Sequence, residues 1–146
     1  MVTERKNKNN SDLKSQQPVS GRIHDDIKKY MEAGVIKEPA WESLTTQPGL
    51  SVWRVNKFKL EPITDVNHGV FYDGDSYIVL HTYLSASQSL KYDVFMWIGK
   101  HSSADEYGTA AYKMAELDVI VLQDQAVQHR ECQSSESEKF MTLFKK

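Results

Sequence analysis

Apolar positions along the chain follow two periods, one typical of β-strands and one typical of a helix. Short runs rich in β-branched and aromatic residues, separated by Pro and Gly turn signals, predict a set of strands. The run "DVFMWIG" is continuously apolar rather than alternating, which indicates a strand covered on both faces of its sheet. The strands are predicted at Leu50–Val55, Lys57–Pro62, Ser76–Leu84, Tyr92–Ile98 and Ala126–Cys132.

A long amphipathic helix is predicted from Ala104 to Leu122. Ser103 is a natural N-cap, and Glu106 follows it by three residues, which is the pattern of a capping box. An apolar stripe at helical spacing is expected to face the sheet. The stripe consists of Tyr107, Ala110, Ala111, Met114, Leu117 and Val121.

The same helix carries a second apolar flank, formed by Tyr112, Ala115, Val119 and Ile120. A solvated helix face is normally more polar than this. Either the helix is deeply packed in its own domain, or it presents the flank to the hydrophobic groove of a partner. Periodicity alone does not choose between the two.

The chain before the strands divides into two parts. Residues 1–20 are rich in Asn, Gln, Ser and Lys and have the composition of a flexible polar tail. Residues 21–40 are predicted to form a short amphipathic helix and a linker, and the compact domain is expected to cover residues 41–146. The helix is expected to pack on this domain, with Gly34 at its end and Ile23, Ile27, Tyr30 and Met31 at helical spacing.

Composition excludes several classes of function. The 146 residues include 18 basic and 20 acidic side chains, so no broad basic field exists for nucleic acid. Cys132 is the only cysteine, which rules out an intrachain disulfide and favours a reducing compartment. No segment approaches the roughly 18 apolar residues of a membrane span, and the N-terminus lacks an apolar signal core, so a cytoplasmic protein is expected.

The histidines give no sign of catalysis. The five are scattered along the chain without metal-binding spacing and without a paired nucleophile. His81 and His129 are expected to be strand residues with satisfied hydrogen bonds. The chain is therefore not expected to be an enzyme.

The stretch Asp73-Gly74-Asp75 stands directly before the third predicted strand. Asp-Gly is ordinary turn chemistry, since Gly74 can adopt a positive φ and aspartates bond nearby amides. Alternatively the carboxylates contribute to a cation site, although a hard cation needs more oxygens than this loop supplies.

Four blocks in register resemble the first repeat of the gelsolin, severin, fragmin and villin family, and are closest to severin and fragmin. The blocks are "PGLSVWRVNKFKLEPI", "GVFYDGDSYIVLHT", "YDVFMWIGKHSSADEYGTAAYKMAELD" and "AVQHREC". The resemblance covers about residues 41–146. It implies the α+β gelsolin-like fold, in which a central mixed β-sheet is sandwiched between a long helix and a short one.

The resemblance also implies calcium-dependent binding of actin, as a capping or monomer-binding module of a filament-severing protein. The long helix would enter the cleft at the barbed end of an actin subunit. The alternative is a gelsolin-fold interaction module in a larger assembly, without actin binding. The positions that the family places against actin correspond here to Tyr112, Ala115, Glu116, Asp118 and Val119.

Two calcium sites follow from the same resemblance. Gly74, Asp75 and Glu106 would hold an internal ion, so Glu106 has both a capping and a ligating role to fill. Asp73 is expected to be a turn residue outside this set. A second ion, shared with an actin carboxylate, would be held by Asp118, Asp124 and Ala126.

The chain departs from the family pattern in places. Val119 stands where the family usually has a second acid. Only Lys145 and Lys146 remain of the basic stretch that serves phosphoinositide regulation in the family, so that regulation has no support. One repeat is present, and the chain is expected to be a fragment or a single-repeat protein that does not sever filaments alone.

Overall fold

The computed structural model describes residues 38–42, 44 and 47–144. The predicted tail at 1–20, and the predicted helix and linker at 21–40 up to residue 37, lie outside the described residues. No helix in the described part is long and apolar enough to cross a membrane. In chain order the elements are α1 (Pro39–Glu42), β1 (Gly49–Asn56), β2 (Lys59–Pro62), a 3₁₀ turn (Asp65–Asn67), β3 (Ser76–Leu84), β4 (Leu90–Ile98), α2 (Ala104–Ile120), β5 (Ala126–Cys132) and α3 (Glu138–Thr142).

The strands form one mixed sheet in the order β2-β1-β3-β4-β5. Neighbouring strands are antiparallel except β4 and β5, which are parallel and are joined through α2. Val94 and Phe95 point to opposite faces of β4 and are both fully buried. The expectation from the unbroken apolar run, that both faces of this strand are covered, is confirmed.

A helix covers each face of the sheet. The apolar stripe of α2, including Leu117, packs on one face against Trp53 and Ile78. On the other face, Phe140 of α3 packs against a cluster that includes Phe95. The sandwich of a mixed sheet between a long and a short helix is therefore confirmed.

Strand β1 extends one residue beyond the predicted Leu50–Val55 at each end, and three other predicted boundaries were wrong by two residues. Lys57 and Phe58 have φ angles of 51° and 67° and form the tight turn between β1 and β2, so β2 starts at Lys59 rather than Lys57. Strand β4 starts at Leu90, two residues earlier than predicted.

The long helix ends at Ile120 rather than at Leu122. Gln123 and Asp124 adopt left-handed φ angles of 54° and 64°, and the Asp124 amide donates back to the Asp118 carbonyl at 2.9 Å. This reversal closes the helix without the glycine that usually marks such an end.

Candidate calcium sites and the partner-facing helix

The turn before β3 is held against the segment that leads from β4 into α2. The Gly99 amide donates to the Asp75 carbonyl at 3.0 Å, and the His101 amide donates to the Asp73 carbonyl at 2.8 Å. A Cβ atom on Gly99 would lie 2.7 Å from the Asp75 carbonyl oxygen. Gly74 does not adopt a positive φ, so its position does not require glycine on that ground. The position that requires glycine at this turn is Gly99, because a Cβ atom there would overlap the backbone.

Asp75 and Glu106 meet at this turn. Asp75 Oδ2 lies 3.7 Å from Arg54 Nη1. Burial raises the pKa of Asp75, and the charge of Arg54 opposes that rise. The negative charge of Glu106 and a hydrogen bond between Glu106 and Asp75 raise the pKa of Asp75 further. Glu106 Oε1 accepts hydrogen bonds from Ser103 N and Ser103 Oγ, each at 2.9 Å. The capping box is thus confirmed, and calcium ligation by Glu106 stays a prediction.

The chemical types of these groups suit a hard cation. Carboxylate oxygens of Asp75 and Glu106 and the carbonyl of Gly74 are ligands that calcium prefers, and a cation would offset two adjacent negative charges. Calcium takes roughly six to eight oxygens. Within residues 38–42, 44 and 47–144, no three His, Cys, Asp or Glu side chains are grouped to hold a metal. A bound calcium ion would therefore take further oxygens from water or from the backbone.

The raised pKa of Asp75 predicts how stability depends on pH without metal. A carboxyl whose folded-state pKa is raised stabilises the fold below its unfolded pKa of about 3.9, and that contribution is lost as pH rises through the folded-state pKa. Asp75→Asn removes this loss. In chelator, the free energy of unfolding of the variant relative to that of the parent should therefore increase as the pH rises from about 4 towards 7.

Urea denaturation of both proteins across this pH range measures the difference. If Asp75 ligates calcium, calcium should stabilise the parent more than the variant, because the parent alone keeps the carboxylate. A difference in unfolding free energy that is constant with pH would show that the pKa of Asp75 is not raised in the metal-free domain.

The second predicted site lies at the C-terminal end of α2, and the structure brings its three residues together. Asp118 is buried, and its Oδ1 accepts a hydrogen bond from the Ala126 amide at 3.0 Å. The Asp124 amide bonds to the Asp118 carbonyl, as described above. Gln128 Nε2 donates to Asp118 Oδ2 at 3.0 Å. Each carboxylate oxygen retains a lone pair, so Asp118 fits a cation if other oxygens complete the shell.

Sequence reasoning missed Gln128. Its signal was available, since residues two apart in a strand share a face and Ala126 was already assigned to the site.

The apolar flank of α2 is separate from the two cores that cover the sheet. Ala115 and Val119 have exposed fractions of 6% and 4%, and Tyr112 and Ile120 pack against them. The flank begins at Tyr112, six residues before Asp118, and ends at Ile120, two residues after it. Apolar contact area and a candidate cation ligand therefore lie side by side on one helix.

The carboxylate of Glu116 is hydrogen-bonded within the protein. Its exposed fraction is 2%, and its Oε1 accepts from Trp41 Nε1 at 2.8 Å and from Lys113 Nζ at 3.1 Å. Lys113 Nζ also lies 2.7 Å from Glu38 Oε1. Burial lowers the pKa of Lys113, but the hydrogen bonds and charges of Glu38 and Glu116 raise it overall. This network ties the described start of the chain to α2, and a contact of Glu116 with actin stays a prediction.

The sequence analysis also did not predict a buried polar cluster on the face of the sheet opposite α2. Asp93 is 1% exposed, accepts from His129 Nε2 at 2.8 Å, and lies 3.2 Å from Lys139 Nζ. Burial raises the pKa of Asp93, but His129 and Lys139 lower it overall. The cluster joins β4 and β5 to α3. His129 is bonded as expected, whereas the expectation for His81 was wrong, because its buried Nδ1 has no hydrogen-bond partner among the described residues.

Comparison with known proteins places this geometry in a family. The sequence model of the gelsolin repeat matches residues 57–141. The chain is 49% identical over 123 residues to gelsolin-like protein 1 of Lumbricus terrestris, and 48% identical over 122 residues to severin of Echinococcus granulosus. These matches cover 83% and 82% of this chain but only 33% and 32% of the relatives.

A third relative, villin-2 of Arabidopsis thaliana, is 46% identical over 75% of this chain and 11% of its own length. Among solved structures, a chain of the crystal structure of the Thorarchaeota 2DGel3/rabbit actin complex is similar at a TM-score of 0.50 and 26% identity. That match covers 65% of this chain and 42% of the other. The chain belongs to the gelsolin-repeat family, of which it contains one repeat that spans about a third of its severin and gelsolin-like relatives.

Proposed function

We propose that this chain is a calcium-dependent actin-binding module of the cytoplasmic cytoskeleton. Its family membership and its likeness to a chain in an actin complex support actin as the partner, and the family agrees with the expectation that the chain is not an enzyme. The observation that carries the proposal is the apolar flank of α2, which is separate from both cores and adjoins Asp118. The flank enters the cleft at the barbed end of an actin subunit.

Calcium acts at the edge of this contact. Asp118, with carbonyl oxygens of Asp124 and Ala126, supplies part of a calcium shell, and an actin carboxylate supplies a further charged ligand. Calcium and actin therefore raise each other's affinity by the same factor. The internal site at Gly74, Asp75 and Glu106 binds calcium without actin. Severing of filaments is assigned to segments of the longer relatives outside the matched region.

Size-exclusion chromatography with monomeric actin tests the proposal. The parent chain should co-elute with actin in calcium and separate from it in chelator. Asp118→Asn should lose at least half of the calcium-dependent gain in actin affinity, because the amide is a weaker and uncharged ligand. Its fold should persist, since the side-chain oxygen of the variant can still accept from the Ala126 amide, and the Gln128 side chain can turn so that its oxygen accepts from the new amide group.

Calcium titrations of the parent and the variant, with and without actin, complete the test. Equal coupling in both proteins would remove Asp118 from the shared site. Absence of co-elution in calcium would remove actin as the partner of this chain.

A further inference from the structure

A positive charge lies beside the proposed internal calcium site. Arg54 Nη1 is 3.7 Å from Asp75 Oδ2. Arg54 of β1 pairs with Tyr77 of β3, two residues after Asp75, so the register of the sheet holds its backbone next to the turn. The distance between the guanidinium and the carboxylate is too long for a hydrogen bond. Arg54 therefore acts on Asp75 through its charge.

The Arg54 side chain is held in this position by β2. Glu61 stands opposite Arg54 in the sheet, and its Oε1 accepts from Arg54 Nε at 3.2 Å and from Arg54 Nη2 at 2.7 Å. Asn56 Nδ2 donates to Glu61 Oε2 at 2.6 Å, so both carboxylate oxygens are hydrogen-bonded. The hydrogen bonds from Asn56 and from Arg54 lower the pKa of Glu61. Glu61 thus stays ionised and keeps the guanidinium in place.

The charge of Arg54 is in the range at which it affects a bound cation. Calcium lies about 2.4 Å from the oxygens that bind it, so an ion on Asp75 Oδ2 would be within about 6 Å of Arg54 Nη1. At that distance the repulsion between a divalent ion and a unit charge lowers a binding constant roughly tenfold in the dielectric of bulk water, and less than that in salt. The metal-free site therefore carries a positive charge that calcium must overcome.

We propose that Arg54 is the built-in counter-ion of the internal calcium site and sets how much calcium is needed to fill it. In the metal-free chain the guanidinium compensates part of the negative charge of Asp75 and Glu106. Bound calcium replaces that compensation, and the guanidinium stays bound to Glu61. Glu61 is a positioning residue, because it acts on the site through Arg54. The inference rests on the internal site of the proposed function and adds to it a residue that opposes calcium.

Calorimetric titration of the full chain with calcium, without actin and at about pH 7.5, tests this role. Arg54→Gln removes the charge and should raise the calcium affinity about fivefold. Arg54→Lys keeps the charge and should stay within about twofold of the parent. The gain in Arg54→Gln should shrink in about 0.5 M KCl, because salt screens the repulsion. A purely structural role of Arg54 would instead weaken calcium binding in both variants.

Lys91→Gln is the matched control for the loss of one positive charge. Lys91 is exposed and pairs with Tyr83, whereas Ser76, next to Asp75, pairs with Ile98 at the other end of β4. The control should therefore keep the calcium affinity of the parent. Weakened or unchanged binding in Arg54→Gln, or an equal gain in Lys91→Gln, would overturn the role of Arg54.

Asp75→Asn separates this inference from the proposed function. It should weaken the titrated binding, which assigns that binding to the internal site. If it does so and Arg54→Gln brings no gain, the site stands and the inference alone is wrong. Calcium binding that Asp75→Asn leaves unchanged would overturn the internal site and the inference together.

A further variant decides the question if Arg54→Gln does not fold. Glu61→Gln leaves the guanidinium in the chain but weakens its hold on β2, so that it can move closer to Asp75. Calcium affinity should then fall about twofold or more. An affinity equal to that of the parent would show that the position of Arg54 does not control the site.

Discussion

Replacing Val119 with lysine should weaken the binding of monomeric actin about a hundredfold. The sheet and its two cores should stay folded, although the side chain of Val119 is only 4% exposed in the free chain. Val119 is at the centre of the flank and does not contribute to either core that holds the sheet. If the flank enters an apolar cleft, an ammonium group there is buried without a partner. That costs about 3 kcal/mol, or roughly a hundredfold in affinity.

Val70→Lys is the matched control for this variant. Val70 is 48% exposed and follows Gly69, where an added Cβ atom would lie 3.3 Å from Phe144, on the side of the sheet away from α2. The same change of side chain should therefore leave actin affinity within about twofold of the parent. Fluorescence anisotropy with labelled actin gives both affinities, and thermal melting checks both folds. Unchanged affinity in Val119→Lys would remove this flank from the interface.

The predicted elements depended on short-range signals, and these were sufficient for the fold. The Ser103–Glu106 capping box fixed the start of α2 because both of its hydrogen bonds are local. The continuous apolar run of β4 identified the strand at the centre of a covered sheet. The two-residue errors lie beside turns in which Phe58, Gln88 and Asp124 adopt positive φ without being glycine, which residue type alone does not reveal.

The sites were harder to predict because their contacts are long-range. Trp41 bonds to Glu116 across 75 residues, and nothing local in either segment indicates that the carboxylate is used in this way. The resemblance gave Glu116 a role at the partner surface, whereas the structure gives its carboxylate two internal donors. Asp118 was more predictable, since its partners Ala126 and Gln128 follow within ten residues along one loop and strand.

Gly99 was also not predictable from local sequence, and it lies at the proposed internal calcium site. The sequence drew attention to Gly74, which lies between two aspartates, but no atom of the described residues would crowd a Cβ there. The steric requirement falls on Gly99, 25 positions later, where two backbone segments come into contact. Only the fold brings these segments together, so no local pattern could identify this glycine.

Gly99→Ala is therefore expected to destabilise the domain by about 3 kcal/mol. The new methyl group would overlap the backbone at Asp73 and Asp75, and backbone atoms cannot turn aside as the end of a flexible side chain does. Gly108→Ala is the matched control. Gly108 is exposed within α2, and no described atom lies near its added Cβ, so alanine there should stabilise the domain by about 1 kcal/mol. Urea denaturation in chelator should thus show a lower free energy of unfolding for Gly99→Ala and a higher one for Gly108→Ala than for the parent.

Calcium then distinguishes a local effect at the site from a general loss of stability. If Gly99 holds the turn that carries Gly74 and Asp75, its replacement moves two of the three proposed ligands, and calcium should add less stability to Gly99→Ala than to the parent. Gly108→Ala leaves that turn in place and should gain as much from calcium as the parent does. An equal gain in all three proteins would mean that calcium binds elsewhere. A Gly99→Ala variant as stable as the parent would mean that the turn can move away from β4 at little cost, and the internal site would then lack the rigid support that its geometry implies.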